Sequence, residues 1–105
     1  ALTPEVLERY TETNEDLLPR NITSMVLRPS DRVLVESRED VFLETCPAVL
    51  LPSRRVALSG LNLIPMVLER GFKGRVKIVI VGGHLPVLLR LGDELGFLVS
   101  LCDEW

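Results

Sequence analysis

The chain has 105 residues and a mass of 11.8 kDa, is 47% hydrophobic and 26% charged, and has a mean hydropathy of +0.26, which suits one compact domain with a real core and argues against disorder. Its net charge of −3 argues against a general nucleic-acid binder. No apolar run reaches the roughly 20 residues that span a bilayer, and the acidic, polar residues 1–20 do not form a secretory leader. An intracellular, cytoplasmic setting is therefore expected, with the start at Ala1 in place of Met read as processed or trimmed. Cys46 and Cys102 fit free thiols in a reducing compartment at least as well as a disulfide.

Charge is unevenly spread: residues 1–45 hold ten acids against five bases, and residues 46–105 five acids against seven bases. In chain order, the first predicted element is a short helix over Pro4 to Tyr10. Thr3 stands as its cap, Pro4 at the first helical position, and Glu5 near the positive helix end. Val6, Leu7 and Tyr10 share one side of it. The polar residues 11–16 read as loop, and Pro19 stops any helix there.

Strand grammar then takes over. Residues 22–28 alternate, Pro29-Ser30-Asp31 makes a turn, and residues 32–36 begin a β run. Residues 41–43 and 47–52 follow as short strands bounded by breakers, and further strands are predicted over 61–66, 75–81, 86–90 and 97–101. Gly71 and Gly74 flank an aromatic and a basic residue, as a turn of unusual dihedrals before a strand does. Gly92-Asp93, between two apolar runs, reads as a hairpin or tight loop. Many short strands and one small helix predict an all-β barrel or sandwich. The predicted organisation is an N-terminal helix and loop over residues 1–20 and a β domain over 21–105, one compact unit overall.

From residue 27 onward the pattern becomes specific. Leu68-Glu69-Arg70-Gly71-Phe72-Lys73-Gly74, Leu85-Pro86-Val87 and Gly92-Asp93-Glu94-Leu95 occur in that order after Leu27-Arg28-Pro29-Ser30-Asp31 and Val56-Ala57-Leu58-Ser59-Gly60-Leu61. This succession resembles the deoxyuridine triphosphatase (dUTPase) and deoxycytidine triphosphate (dCTP) deaminase superfamily, over about three quarters of the chain. The resemblance implies a dUTPase-like β-barrel or β-clip and a homo-oligomer, most often a trimer.

It also implies where chemistry would sit. The third motif's water-positioning aspartate falls on Glu69, a carboxylate moved by one methylene, and a misplacement of about 1 Å can cost roughly a hundredfold in rate. The motif's aromatic falls on Phe72, compatible with stacking on a sugar or with a half-buried strand aromatic. The second motif, arginine and hydroxyls for phosphate, falls on Ser53-Arg54-Arg55, where Arg54 and Arg55 can fork onto phosphate or serve as solvated or intersubunit ion-pair partners. The first motif's metal-holding aspartate has no counterpart over residues 21–27, so no metal ligand is expected, and magnesium belongs only to an active nucleotidohydrolase. The fourth motif's glutamine falls on Phe97, and a glycine-rich fifth motif is not found before Trp105. In the deaminase branch the general-base glutamate falls on Val79, which cannot move a proton.

Other constellations are weaker. Cys46, His84 and Cys102 lack zinc-site spacing. His84 reads as a turn residue, and Lys73, Arg75 and Lys77 as one solvated strand face beside Arg70. Asn21-Ile22-Thr23 matches a glycosylation acceptor, which has meaning only on a secretory route. The sequence reading is thus a catalytically degenerate dUTPase-like protein acting as a structural, regulatory or protein-interaction module, with no cofactor, no specific nucleic acid and no membrane, and with a viral or mobile-element setting as one fitting context. Two alternatives stay open: a divergent deoxynucleotide triphosphate pyrophosphatase with Glu69 as base, and a nucleotide-binding sensor retaining Phe72 and Arg54 without turnover.

Overall fold

The computed structural model describes residues 1–10 and 23–102, residues 8–10 by backbone alone. Among these residues nine strands and one helix follow each other: β1 (Pro4–Tyr10), β2 (Ser24–Leu27), β3 (Arg32–Phe42), β4 (Ala48–Pro52), α1 (Arg54–Ser59), β5 (Asn62–Leu63), β6 (Met66–Leu68), β7 (Lys73–Val81), β8 (Val87–Arg90) and β9 (Gly96–Ser100). They form a four-stranded sheet in the order β1-β3-β7-β5, a two-stranded sheet β2-β8 and a three-stranded sheet β6-β4-β9. Every pairing is antiparallel. The all-β prediction holds. The buried set, which includes Leu7, Leu27, Val33, Val35, Leu50, Val76, Ile78, Ile80 and Leu95, draws on all three sheets, so one core joins them.

The predicted N-terminal helix is a strand. Residues 4–10 pair with β3, from Pro4↔Ser37 to Tyr10↔Arg32, and Leu7 is fully buried. Thr3 caps nothing. Its amide and hydroxyl both donate to the Glu39 carboxylate, at 2.9 and 3.0 Å. Val6 and Leu7 suit a helix face and a strand equally, and the long-range partner decides. The loop at 11–16, Pro19, the start of the 22–28 run, the first-motif stretch up to residue 22, Asn21 and Trp105 lie outside the described residues.

The two strands expected at 32–36 and 41–43 are one strand, β3, with an irregularity between Glu36 and Asp40 where it pairs with β7. There the ladder loses a backbone acceptor, and a buried side chain supplies one. Ser37 Oγ accepts from Val76 N at 2.8 Å and donates to Glu39 O at 2.9 Å. The single strand expected at 61–66 divides into β5 and β6, which pair with different neighbours, β7 and β4.

Helix α1 lies between the strands expected at 47–52 and 61–66, where no element was predicted. Ser53 caps α1, its hydroxyl accepting from Val56 N at 3.2 Å and donating to Glu94 O at 2.9 Å, and Gly60 ends the helix at φ 86°. Gly83 is needed for close approach, because a Cβ there would overlap the Gly60 carbonyl.

Of the two readings left open for Cys46 and Cys102, the disulfide is the one found, with Cα atoms 5.5 Å apart. The β4–β9 register pairs Ala48 with Ser100 and Val49 with Val99. Continued two residues outward, it sets Cys46 opposite Cys102. The Leu101 N to Pro47 O hydrogen bond, 2.9 Å, closes the step between. No helix is long and apolar enough to cross a membrane among the described residues.

Candidate functional site

The third-motif segment is a tight turn between β6 and β7. Phe72 N donates to Glu69 O at 3.0 Å, and Gly71 takes φ 91°, a conformation that carries a side chain only with strain. The turn is fixed to the β3–β4 connection by two backbone hydrogen bonds: Gly71 N donates to Leu43 O at 2.6 Å, and Leu43 N donates to Phe72 O at 2.9 Å. Phe72 is half-buried and packs against the core. Glu69 and Arg70 are exposed. The structure therefore brings Glu69 and Phe72 into one rigid turn, the carboxylate toward solvent and the ring toward the core.

The basic residues predicted beside Glu69 are engaged elsewhere. Arg75 pairs with Glu5 and, at 3.6 Å, with Glu36, while Lys73 sits 5.9 Å from the centre of the Phe42 ring. Lys73, Arg75 and Lys77 are all exposed along one face of β7, as their alternation predicts.

Arg54 and Arg55 open α1, which packs on β4 and β5. Both are exposed. Arg55 reaches Asp93 at 3.3 Å, and the other oxygen of that carboxylate accepts from Arg90 N at 2.9 Å. Among the described residues no hydrogen bond or ion pair links these arginines to the Glu69 turn within one chain. Ser53, the one hydroxyl in the second-motif stretch, spends its hydrogen bonds on the helix cap and on Glu94. Asp93 as an arginine partner went unread in the sequence, where it signalled only a turn; an aspartate three residues after Arg90 is the available clue.

Val79 lies on β7 opposite Leu34 of β3, on the sheet side away from Val33, Val35, Ile78 and Ile80. With Arg32, Val33 and Leu34 it lines an apolar hollow of about 190 Å³. Phe97, on β9 opposite Leu51, is exposed. His84 is exposed in the connection between β7 and β8. No group of three or more His, Cys, Asp or Glu side chains that could hold a metal ion occurs among the described residues.

Hydrogen bonding tunes the Glu39 carboxyl. Burial works to raise the pKa of Glu39, but the hydrogen bonds from the Thr3 amide, its own backbone and the Thr3 hydroxyl outweigh that and hold it below its ordinary value. It ties β3 to the N-terminal segment.

Three antiparallel sheets around one core, with the Glu69–Gly74 turn leading into the long β7, define a dUTPase-like β fold. The crystal structure of 2′-deoxycytidine 5′-triphosphate deaminase from Agrobacterium tumefaciens superposes with a TM-score of 0.70 over 94% of this chain and 37% of that one, at 17% identity. No family model matches the chain. The dCTP deaminase of Sulfurisphaera tokodaii is 32% identical over 79 residues, 74% of this chain and 43% of that protein. The dCTP deaminase of Ignicoccus hospitalis is 35% identical over 79 residues, 73% of this chain and 43% of that protein. A probable deoxyuridine 5′-triphosphate nucleotidohydrolase of Sulfolobus islandicus rod-shaped virus 1 is 28% identical over 75 residues, 70% of this chain and 48% of that protein. The chain belongs to the dUTPase and dCTP deaminase superfamily. It spans less than half the length of the curated relatives it matches.

Proposed function

We propose that this chain is a non-catalytic member of its superfamily, a dUTPase-like β module that works through assembly and protein contacts, as a homotrimer, rather than by turning over a nucleotide. The observation that carries this reading is Val79. At the position where the resembled deaminases hold a glutamate base, a valine faces Leu34 in an apolar hollow, and neither side chain transfers a proton. Glu69, the residue matching the dUTPase base, is exposed on a turn, and a general base needs to be within hydrogen-bond reach of the proton it takes. The Ser53 hydroxyl, which would otherwise be available to phosphate, is already bonded on both sides.

The test is direct. The chain is incubated with dUTP or dCTP and magnesium, and diphosphate and ammonia release are followed beside a thermal-shift measurement. No turnover and no shift are expected, and Glu69→Gln leaves both the melting temperature and the absent turnover unchanged. Diphosphate release from dUTP that Glu69→Gln abolishes overturns the reading and makes the protein a pyrophosphatase. Stabilisation by a nucleotide without turnover, lost in Phe72→Ala or Arg54→Ala, replaces it with a nucleotide sensor.

A further inference from the structure

We propose that the Cys46–Cys102 disulfide is a reversible redox clasp that governs the rigidity of the Glu69–Phe72 turn. Its position carries the idea. Cys102 lies two residues beyond β9 and Cys46 two residues before β4, so the bond closes the open end of the β4–β9 ladder. Cys46 also lies in the short connection between β3 and β4, and Leu43 in that connection makes both backbone hydrogen bonds to the turn, from Gly71 N and to Phe72 O. Only Glu44 and Thr45 stand between the half-buried Cys46 and Leu43, whose carbonyl holds Gly71. One covalent bond therefore braces, through a single short loop, both the last β9 contact at Leu101 and the turn that carries Glu69 and Phe72.

The chemistry is a two-electron exchange with a dithiol. Cys102 is exposed and Cys46 half-buried, so an incoming thiolate meets the Cys102 sulfur first. A mixed disulfide forms there, and the Cys46 sulfur leaves as a thiolate that takes up a proton. The Thr45 hydroxyl lies 3.5 Å from that sulfur and is placed to donate to the leaving thiolate. The second thiol of the reductant then displaces the Cys102 thiolate, which is also protonated, and the reductant departs as a cyclic disulfide. Two protein thiols and one oxidised dithiol balance one protein disulfide and one reduced dithiol. Oxidation reverses every step. Once the bond is open, the connection carrying Leu43 keeps its backbone hydrogen bonds and the packing of Leu43 against the core but loses its covalent brace, and short segments with exposed neighbours such as Glu44 and Thr45 open more readily than core strands.

Thiol titration of the air-oxidised, denatured chain, followed by hydrogen exchange with and without dithiothreitol, tests the clasp. The expected result is no free thiol before reduction and two after it. Exchange at the amides of Leu43, Gly71 and Leu101 then accelerates on the order of tenfold or more, while the core amides of Ile78 and Ile80 in β7 keep their protection. The double variant Cys46→Ser/Cys102→Ser reproduces the reduced pattern and stops responding to dithiothreitol. Two free thiols in the oxidised protein overturn the proposal. So does a disulfide whose reduction leaves Leu43 and Gly71 unchanged, and so does a reduction that releases Ile78 and Ile80 together with them, because the bond is then a general staple.

Discussion

Two side chains in the β3 irregularity show how little polar chemistry holds a break in a ladder. Ser37 is fully buried, and its hydroxyl serves both Val76 N and Glu39 O. Alanine there removes one partner from each and leaves a buried amide unpaired, so Ser37→Ala is expected to cost about 1–3 kcal/mol in urea unfolding, with the fold retained by circular dichroism. Glu39 adds a pH dependence of defined sign. Its carboxyl pKa is lowered in the folded chain, so its contribution to stability is complete above the unfolded value of about 4.3 and is lost as pH falls through the lower folded value. Glu39→Gln should therefore lower the urea midpoint at pH 7, and the gap to the native chain should narrow as the pH falls below about 4.3. A gap that does not narrow with falling pH would assign the effect to geometry rather than charge.

Among the elements, those with a local signature were readable and those fixed by a distant partner were not. The alternation of β7, buried at Val76, Ile78 and Ile80 and exposed at Lys73, Arg75 and Lys77, is visible in the sequence. So are the turn at Gly71 and the ordered motifs that place Glu69 and Phe72 together. Residues 4–10 were misread because Pro4 and Glu5 suit a helix start, whereas pairing with β3 and burial of Leu7 set the outcome. Helix α1 was overlooked because the Arg54–Arg55 pair was weighed as phosphate chemistry, although Ser53 before it and Gly60 after it are a complete set of helix ends. Ser53→Ala should cost about 1 kcal/mol in thermal unfolding, since the cap is lost, and the bond to Glu94 is lost with it. The disulfide could not be decided from the sequence for a different reason: the cysteines lie 56 positions apart, and only the β4–β9 register sets them opposite each other. Loop entropy gives such a bridge about 4 kcal/mol. Typical domain stabilities are about 5–15 kcal/mol, so the reduced chain is expected to remain folded with a lower melting temperature, a result that a reducing-condition melt checks.

At the scale of the whole molecule, the outward side of the sheet β6-β4-β9 sets an expectation for assembly. Its register aligns Val67, Val49 and Val99 in one row across three strands and Leu51 with Phe97 in the next. Val67 is 54% exposed, Phe97 41% and Val99 39%, and no charged side chain interrupts the two rows. Contiguous apolar surface of this kind marks contact sites more often than scattered single residues do, and beyond the Leu2–Gly96 bridge at the start of β9 the outer edges of β6 and β9 have no neighbouring strand among the described residues. A second copy of the chain, as the proposed trimer requires, covers such a face without burying a charge. Sedimentation velocity at micromolar concentration should then show a trimer, and Phe97→Lys or Val99→Lys should shift it toward monomer. These side chains point away from the core and contribute little to it, so each variant should keep a cooperative melt. The charge placed on the face must be desolvated for a neighbour to dock, which costs several kcal/mol per ion and is enough to move a micromolar equilibrium far toward dissociation. A native chain that sediments as a monomer removes the trimer from the proposal, and a trimer indifferent to both lysines places the contact on another face.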